Sequence, residues 1–122
     1  MYLLCIKNIF KGKTKKLSLD QAIFTSSQLA GRITWVSNAI FKLTCLTVLA
    51  LDDNQLTTLP ESINNLKSLK LLTLDDNNIT SLPESVLQLS SLRDLHISNN
   101  PLNKESKMLL EQLKKDGVSV HL

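Results

Sequence analysis

Residues 46–66 read LTVLALDDNQLTTLPESINNL, and residues 69–89 repeat the pattern as LKLLTLDDNNITSLPESVLQL. The same pattern begins a third time at residues 92–102, which read LRDLHISNNPL. Leu46, Leu69 and Leu92 begin the three copies, so the copies follow one another at a constant spacing. A constant period of about 20–29 residues indicates a solenoid, a fold in which each coil contacts only its neighbours.

Each copy contains a short stretch in which leucine alternates with other residues, as in Leu49-Ala50-Leu51. Alternation places the leucines on one face of a strand. The strands predicted at residues 49–51, 72–74 and 95–97 recur once per coil, so they can pair only in parallel. The residues between them supply the crossover that parallel pairing requires. Each crossover contains a proline, Pro60 or Pro83, which predicts a helical turn that begins at the proline.

An asparagine follows each predicted strand, at Asn54, Asn77 and Asn100. The chain turns off the sheet there, so backbone groups lose their ladder partners and need others if they are buried. The asparagine side chain carries two N–H donors and an oxygen acceptor. We therefore expect these three residues to stack as a structural asparagine ladder.

The N-terminal part of the chain departs from the pattern. Within residues 1–45 the crossover half of a repeat persists, but the strand half does not align with the later copies. A displaced strand is predicted at residues 17–19, and a helix is predicted over residues 20–30. End units of a solenoid cover a core that would otherwise be exposed, so atypical sequence is expected there.

The C-terminal part is predicted to close the solenoid. Residues 103–115 have the pattern of a helix, with inward positions at Met108, Leu109, Leu110 and Leu113. A closing strand is predicted at residues 118–120, because its valines follow Leu95 and Ile97 at the same spacing that separates the earlier copies.

The motif LxxLxLxxNxLxxLPxx[IV]xxL over residues 46–102 resembles the 23-residue class of leucine-rich repeat proteins. The resemblance implies an α/β fold: a short solenoid with a curved parallel sheet, an irregular N-terminal cap, and a C-terminal helix plus closing strand. We expect one domain over residues 1–122. It is divided into a cap with a degenerate first repeat (1–45), regular repeats (46–102) and a C-terminal cap (103–122).

The resemblance also bears on function. That class includes cytoplasmic signalling scaffolds that engage small GTPases and phosphatases, and short repeat proteins that bacteria deliver into host cells. Such proteins usually bind protein partners on the concave face of the sheet. The implied function is a protein–protein interaction module, a signalling adaptor or a bacterial effector. A small GTPase or a phosphatase as partner follows from the family resemblance alone.

The concave face is formed by the strand positions between the inward leucines and just after them. Its candidate partner-binding residues are Asp52, Asp53, Thr73, Asp75, Asp76, Asp94, His96 and Ser98. Neighbouring strands lie about 4.8 Å apart, and like charges at that distance repel by less than about 1 kcal/mol in water. The acids can therefore be ordinary turn formers, or they can form an acidic patch for a protein partner with a basic surface.

Charge is divided unevenly along the chain, whose formal net charge is +3. Residues 1–45 contain seven Lys and Arg and one Asp, whereas residues 46–122 contain seven Lys and Arg and ten Asp and Glu. The lysines of residues 7–16 support an alternative function, attachment to an acidic membrane or to nucleic acid. A solvated terminal segment would explain them equally well.

No enzyme, cofactor or metal site is predicted, because both histidines lie in predicted strands and no zinc spacing or phosphate loop is present. No apolar run approaches the roughly 18 residues of a membrane-spanning helix. The short apolar start lacks the basic segment of a secretory signal. Cys5 and Cys45 are therefore expected to be reduced, in a protein that is intracellular (cytoplasmic) or delivered into a host cell.

Overall fold

The computed structural model describes residues 22–25, 40–42 and 44–122. One parallel sheet contains five strands in sequence order: β1 (Ala22–Thr25), β2 (Leu46–Ala50), β3 (Leu71–Thr73), β4 (Asp94–His96) and β5 (Ser119–His121). The crossovers contain 3₁₀ helices at Ile40–Lys42, Glu61–Asn65 and Glu84–Gln88, and one α-helix, α1, at Lys104–Lys115. The predicted short α/β solenoid is confirmed.

The three central strands follow the sequence period. Leu49 pairs with Leu72, and Leu72 pairs with Leu95, so each step along the sheet advances the chain by one full repeat. β3 and β4 begin and end one residue earlier than predicted. The last inward-facing residue predicted for each of these strands, Leu74 or Ile97, lies just beyond the strand end and is still buried in the core.

The closing strand forms, but its predicted register is wrong by two positions. Leu95 pairs with Val120, where the sequence period predicts Val118. The crossover before β5 contains the longer helix α1 instead of a short 3₁₀ helix, and this longer path displaces the strand. A shift of two positions keeps the same side chains inward, so Val118 is still buried.

The first strand also differs from the expectation. The residue pattern predicts a helix over residues 20–30, yet Ala22–Thr25 forms β1 and pairs in parallel with β2, with Phe24 opposite Leu49. Pairing with β2 overrides the local helical pattern, and the segment AIFT is rich in β-branched and aromatic residues. The strand predicted at residues 17–19 lies outside the described residues.

The core is an aliphatic ladder on one side of the sheet. Leu49, Leu72 and Leu95 are fully buried on three successive strands. The 3₁₀ helices at Glu61–Asn65 and Glu84–Gln88 close the core through Ile63 and Val86. Pro60 and Pro83 are themselves extended and immediately precede these helices, so each helix begins one residue later than the pattern predicts.

Helix α1 covers the C-terminal end of this core. The Asn103 side chain caps its first turn by accepting a hydrogen bond from the Ser106 N–H at 2.9 Å. Lys114 and Lys115 occupy the last turn, where cations are favoured by the helix dipole. Leu109, Leu110 and Leu113 are buried as predicted, but Met108 is 64% exposed and is therefore not an inward residue.

The asparagine ladder joins successive coils. Asn77 Nδ2 donates to the carbonyl of Leu51 in the preceding coil at 2.9 Å and to Leu74 in its own coil at 3.0 Å. Its Oδ1 accepts from the Leu56 N–H at 3.1 Å. Asn100 repeats the arrangement one coil later, by donating to Leu74 and accepting from Ile79, both at 2.9 Å.

Cys45 is half-buried against the core and is disulfide-bonded, so the expectation of a reduced thiol is wrong for this residue. Cys5 lies outside the described residues. Disulfides persist in oxidising environments and are rare in the cytosol, so this bond does not support the expected intracellular localisation, which stays a prediction. None of the helices in the described part of the chain combines the length and the apolar character needed to cross a membrane.

Candidate protein-binding face

The register of β2 to β5 arranges the concave face in rows of side chains. Two rows cross the four strands: Val48, Leu71, Asp94 and Ser119; and Ala50, Thr73, His96 and His121. Asp52, Asp75 and Ser98 follow two positions after the second row on three of the coils. Along the first row the face therefore changes from apolar at β2 and β3 to polar at β4 and β5, while the carboxylates of Asp52 and Asp75 follow β2 and β3.

Two of the predicted contact carboxylates hold neighbouring coils together. Asp52 accepts hydrogen bonds from the Asp75 N–H at 2.8 Å and from Thr73 Oγ1 at 2.7 Å. Asp75 accepts from the N–H of Ser98 at 2.6 Å and from its Oγ at 2.8 Å. These bonds occupy the polar atoms of Thr73 and Ser98 as well. Asp52 and Asp75 therefore have a structural role between coils in addition to any contact with a partner.

A stacked pair of imidazoles lies on the last two strands. The rings of His96 and His121 have centroids 4.1 Å apart and an angle of 17° between their planes. His96 Nδ1 is 3.9 Å from Asp75 Oδ2, and His121 Nε2 is 3.8 Å from Asp94 Oδ1. The side chains of Asp94 and His121 are 48% and 52% exposed, so a partner that lies on the sheet can contact both.

Asp53 and Asp76 lie where the chain leaves the strands, and their backbone is left-handed, with φ of 57° and 58°. Asn99 has the same conformation in the next coil, with φ of 57°. Aspartate and asparagine tolerate this region better than other residues with a side chain. Asp76 Oδ1 also accepts from Asn99 Nδ2 at 2.7 Å. Both carboxylates are exposed, so their positions serve turn formation and still add negative charge to this rim of the face.

The structure thus divides the eight predicted contact residues. The side chains of Asp52, Asp75, Thr73 and Ser98 make hydrogen bonds between coils, whereas Asp53, Asp94 and His96 present more accessible polar groups. Asp76 does both, because it is exposed and also accepts from Asn99 of the next coil. His121 is not among the predicted contact residues. The constant period pairs it with Ser98, whereas the longer last coil places it beside His96. The length of the predicted helix at 103–115 was the available signal for that shift.

The side chains of this face can make hydrogen bonds, ion pairs and apolar contacts with a partner. Within residues 22–25, 40–42 and 44–122, no three or more His, Cys, Asp or Glu side chains are grouped to hold a metal ion. A partner surface with cationic groups would complement Asp94 and the neighbouring acids, and an apolar side chain would fit against Val48 and Leu71.

Comparison with known proteins identifies the repeats. A family model described as a leucine-rich repeat region matches residues 32–119. No curated protein matches the chain. Among solved structures, the chain is similar to a leucine-rich repeat protein of Leptospira interrogans, with 32% sequence identity and a TM-score of 0.68.

The alignment with the Leptospira protein covers 74% of this chain but 23% of that one, so the chain spans less than a quarter of that relative's length. The family model, in contrast, covers most of this chain. Leucine-rich repeat domains are typically protein-binding modules without catalytic activity. The asparagine ladder, the register of the central strands and the family model agree, and the chain belongs to the leucine-rich repeat family.

Proposed function

We propose that the chain is a non-catalytic protein-binding module whose concave face binds a protein partner with a basic surface. The observation that carries the proposal is the composition of that face. The two rows across β2 to β5 and the residues that follow them include Asp52, Asp75 and Asp94 but neither lysine nor arginine. Asp53 and Asp76 add two exposed carboxylates at its rim.

The two groups of acids contribute differently. Asp52 and Asp75 accept hydrogen bonds within the solenoid, and their carboxylates add to the field that a partner meets as it approaches. Asp94 is half exposed and lies beside His121, so it is available for direct contact. Charge complementarity between an acidic face and a basic partner mainly raises the rate of association and selects partners by charge.

The apolar half of the face provides the other part of the contact. Val48 and Leu71 are adjacent in one row and are both half-buried, so they expose apolar surface beside the acids. A partner that covers this row would remove that surface from water, which stabilises a complex by about 25 cal/mol per Å². We therefore propose a partner segment that combines an apolar side chain with lysine or arginine.

The test uses a partner captured on the immobilised chain and then titrated in solution. Asp94→Asn keeps the shape of the side chain and removes its charge. We expect the affinity to fall roughly fivefold, because one exposed ion pair is worth up to about 1 kcal/mol. The loss should shrink as salt is raised, because salt screens exposed charges.

Glu84→Gln is the matched control, since it removes one exposed carboxylate from the 3₁₀ helix on the opposite side of the coil. It should leave the affinity unchanged. Equal losses for the two variants would show that only the net charge of the protein matters. An unchanged affinity for Asp94→Asn would remove the acidic face from the binding site.

The biological setting is a separate matter. Signalling adaptor and bacterial effector both stay predictions, as do a small GTPase or phosphatase partner and the intracellular location. The similarity to a Leptospira protein supports a bacterial setting. The alternative function, attachment to a membrane or to nucleic acid, depends on the lysines of residues 7–16, which lie outside the described residues.

A further inference from the structure

Two exposed cations lie where the central strands of the sheet begin. Lys70 directly precedes β3 and Arg93 directly precedes β4, and both side chains are exposed. The Arg93 N–H donates to Lys70 O at 2.9 Å, so the two residues lie side by side in successive coils. In the part of the chain that the structure describes, neither side chain forms an ion pair. Together they form the basic edge of the concave face.

The fold does not require a cation at this position. The Lys70 N–H donates to Thr47 O at 2.8 Å, so the uncharged Thr47 occupies the equivalent position in the preceding coil. Like charges in neighbouring coils repel each other, and no ion pair among the described residues offsets the repulsion between Lys70 and Arg93. The two cations are therefore available to an anionic group of a partner.

The opposite ends of the same coils carry the opposite charge. Asp76 lies six residues after Lys70, Asp53 holds the equivalent position one coil earlier, and both carboxylates are exposed. Six residues span at most about 20 Å. Along the concave side, this coil therefore leads from a cation, past the apolar Leu71 and the hydroxyl of Thr73, to the carboxylate of Asp76.

We infer that the partner of the concave face carries segregated charges, with an acidic group at the basic edge and lysine or arginine beside Asp76. An apolar side chain between them covers Leu71. The inference rests on the proposed function, because it takes a partner with basic groups to lie on this face. It adds that the partner is not uniformly basic and that its orientation is fixed, since the reverse orientation would place like charges together at both ends.

Asp94 is compatible with this arrangement. It follows Arg93 directly and lies beside Leu71 in the concave row, so it is one position further along the strand than the basic edge. A basic group of the partner contacts Asp94, while the acidic group beyond it contacts Arg93. The contact that the proposed function assigns to Asp94 is therefore retained.

The experiment selects peptides from a displayed library of random sequences on the immobilised, folded full-length chain. Peptides of about 16 residues are long enough, because a span of about 20 Å needs about six extended residues or about 13 residues of α-helix. We expect the enriched peptides to contain aspartate or glutamate near one end, lysine or arginine near the other, and an aliphatic residue between them.

The outcomes separate this inference from the proposed function. Enrichment of basic residues without acidic ones would overturn the inference and leave the proposed function standing. Enrichment of no sequence, or of sequences without basic residues, would contradict both. Acidic and basic residues that are enriched together but interspersed along the peptide would overturn the segregated arrangement.

Variants of the protein locate the acidic group of a selected peptide. Lys70→Glu combined with Arg93→Glu reverses the charge of the basic edge and keeps its backbone hydrogen bonds. Fluorescence anisotropy should show at least about tenfold weaker binding, because two exposed ion pairs are lost. Lys104→Glu combined with Lys107→Glu is the matched control, since it makes the same charge change on exposed residues of α1. Equal losses for the two double variants would overturn the inference.

Charge exchange distinguishes a direct contact from a general effect of charge. A peptide whose acidic residues are replaced by lysine should bind the wild-type chain weakly and regain affinity for the variant with Lys70→Glu and Arg93→Glu. Without that regain, the acidic group of the peptide lies elsewhere and the inference fails.

A labelled single-stranded RNA tests the other anionic occupant of the basic edge. We expect no saturable binding of the RNA to the wild-type chain. Saturable binding that the variant with Lys70→Glu and Arg93→Glu abolishes would make the basic edge a phosphate-binding surface and overturn the inference.

Discussion

Asn77→Ala is expected to lower the free energy of unfolding by at least about 2 kcal/mol, because a buried polar group left without a partner costs about 1–3 kcal/mol. Asn77 is 5% exposed and bonds to groups of two coils at once. Its removal leaves the Leu56 N–H without the side-chain acceptor and takes one amide donor from each of the carbonyls of Leu51 and Leu74. Urea denaturation of the variant measures the loss.

Asn78→Ala is the control for this prediction. Asn78 is the exposed neighbour of Asn77, and its backbone N–H, which the substitution retains, makes the bond to Leu56 O. Exposed substitutions usually change stability by less than about 0.5 kcal/mol. Similar denaturation midpoints for Asn77→Ala and Asn78→Ala would contradict the structural role of the asparagine ladder.

A second large effect is expected at Leu72, which is fully buried on the central strand β3. Leu72→Ala should destabilise the protein by about 2–5 kcal/mol, the range for truncation of a buried leucine. The loss combines the burial of the side chain with the cavity that remains, because coils on both sides of β3 hold their positions. Thermal and urea denaturation both report it.

Leu71→Ala separates stability from binding. Leu71 is next to Leu72 but faces the concave side and is half-buried, so its truncation should cost much less stability. It should weaken binding of the captured partner, because the apolar row that it forms with Val48 becomes smaller. Equal destabilisation by the two alanines would contradict the assignment of the two faces of β3.

The regular coils could be predicted because local and global signals coincide there. Leu49, Leu72 and Leu95 recur at the interval that their strands adopt, and each asparagine follows at a constant distance. A solenoid coil contacts only its neighbours, so a sequence period translates directly into a spatial one. The fold therefore follows from residues 46–102 with little information from the rest of the chain.

The two ends were harder to predict because the period fails there. β1 depends on pairing with β2, which a local helical pattern in residues 20–30 does not reveal. The register of β5 depends on the path through α1, and the period alone places Val118 where Val120 lies. Met108 fits the helical pattern of inward residues, yet the solenoid has no coil to cover that side of α1 among the described residues.

The candidate site could be predicted only in part. Spacing places Asp52, Asp75 and Asp94 on one face, but it does not distinguish a carboxylate that bonds to the next coil from one that faces a partner. That distinction depends on whether the following coil offers an N–H or hydroxyl within reach, as Ser98 does for Asp75. Asp94 accepts no such bond from the part of the chain that the structure describes, and its Oδ1 lies 3.8 Å from His121 Nε2.

Carboxyl footprinting shows directly whether a protein partner binds the acidic concave face. Carbodiimide and an amine label exposed Asp and Glu side chains with and without the captured partner, and mass spectrometry measures labelling at each residue. We expect the partner to protect Asp94 and Asp76, while Glu61 and Glu84 on the crossover side stay labelled. Protection of Glu61 and Glu84 with unchanged labelling of Asp94 would contradict it.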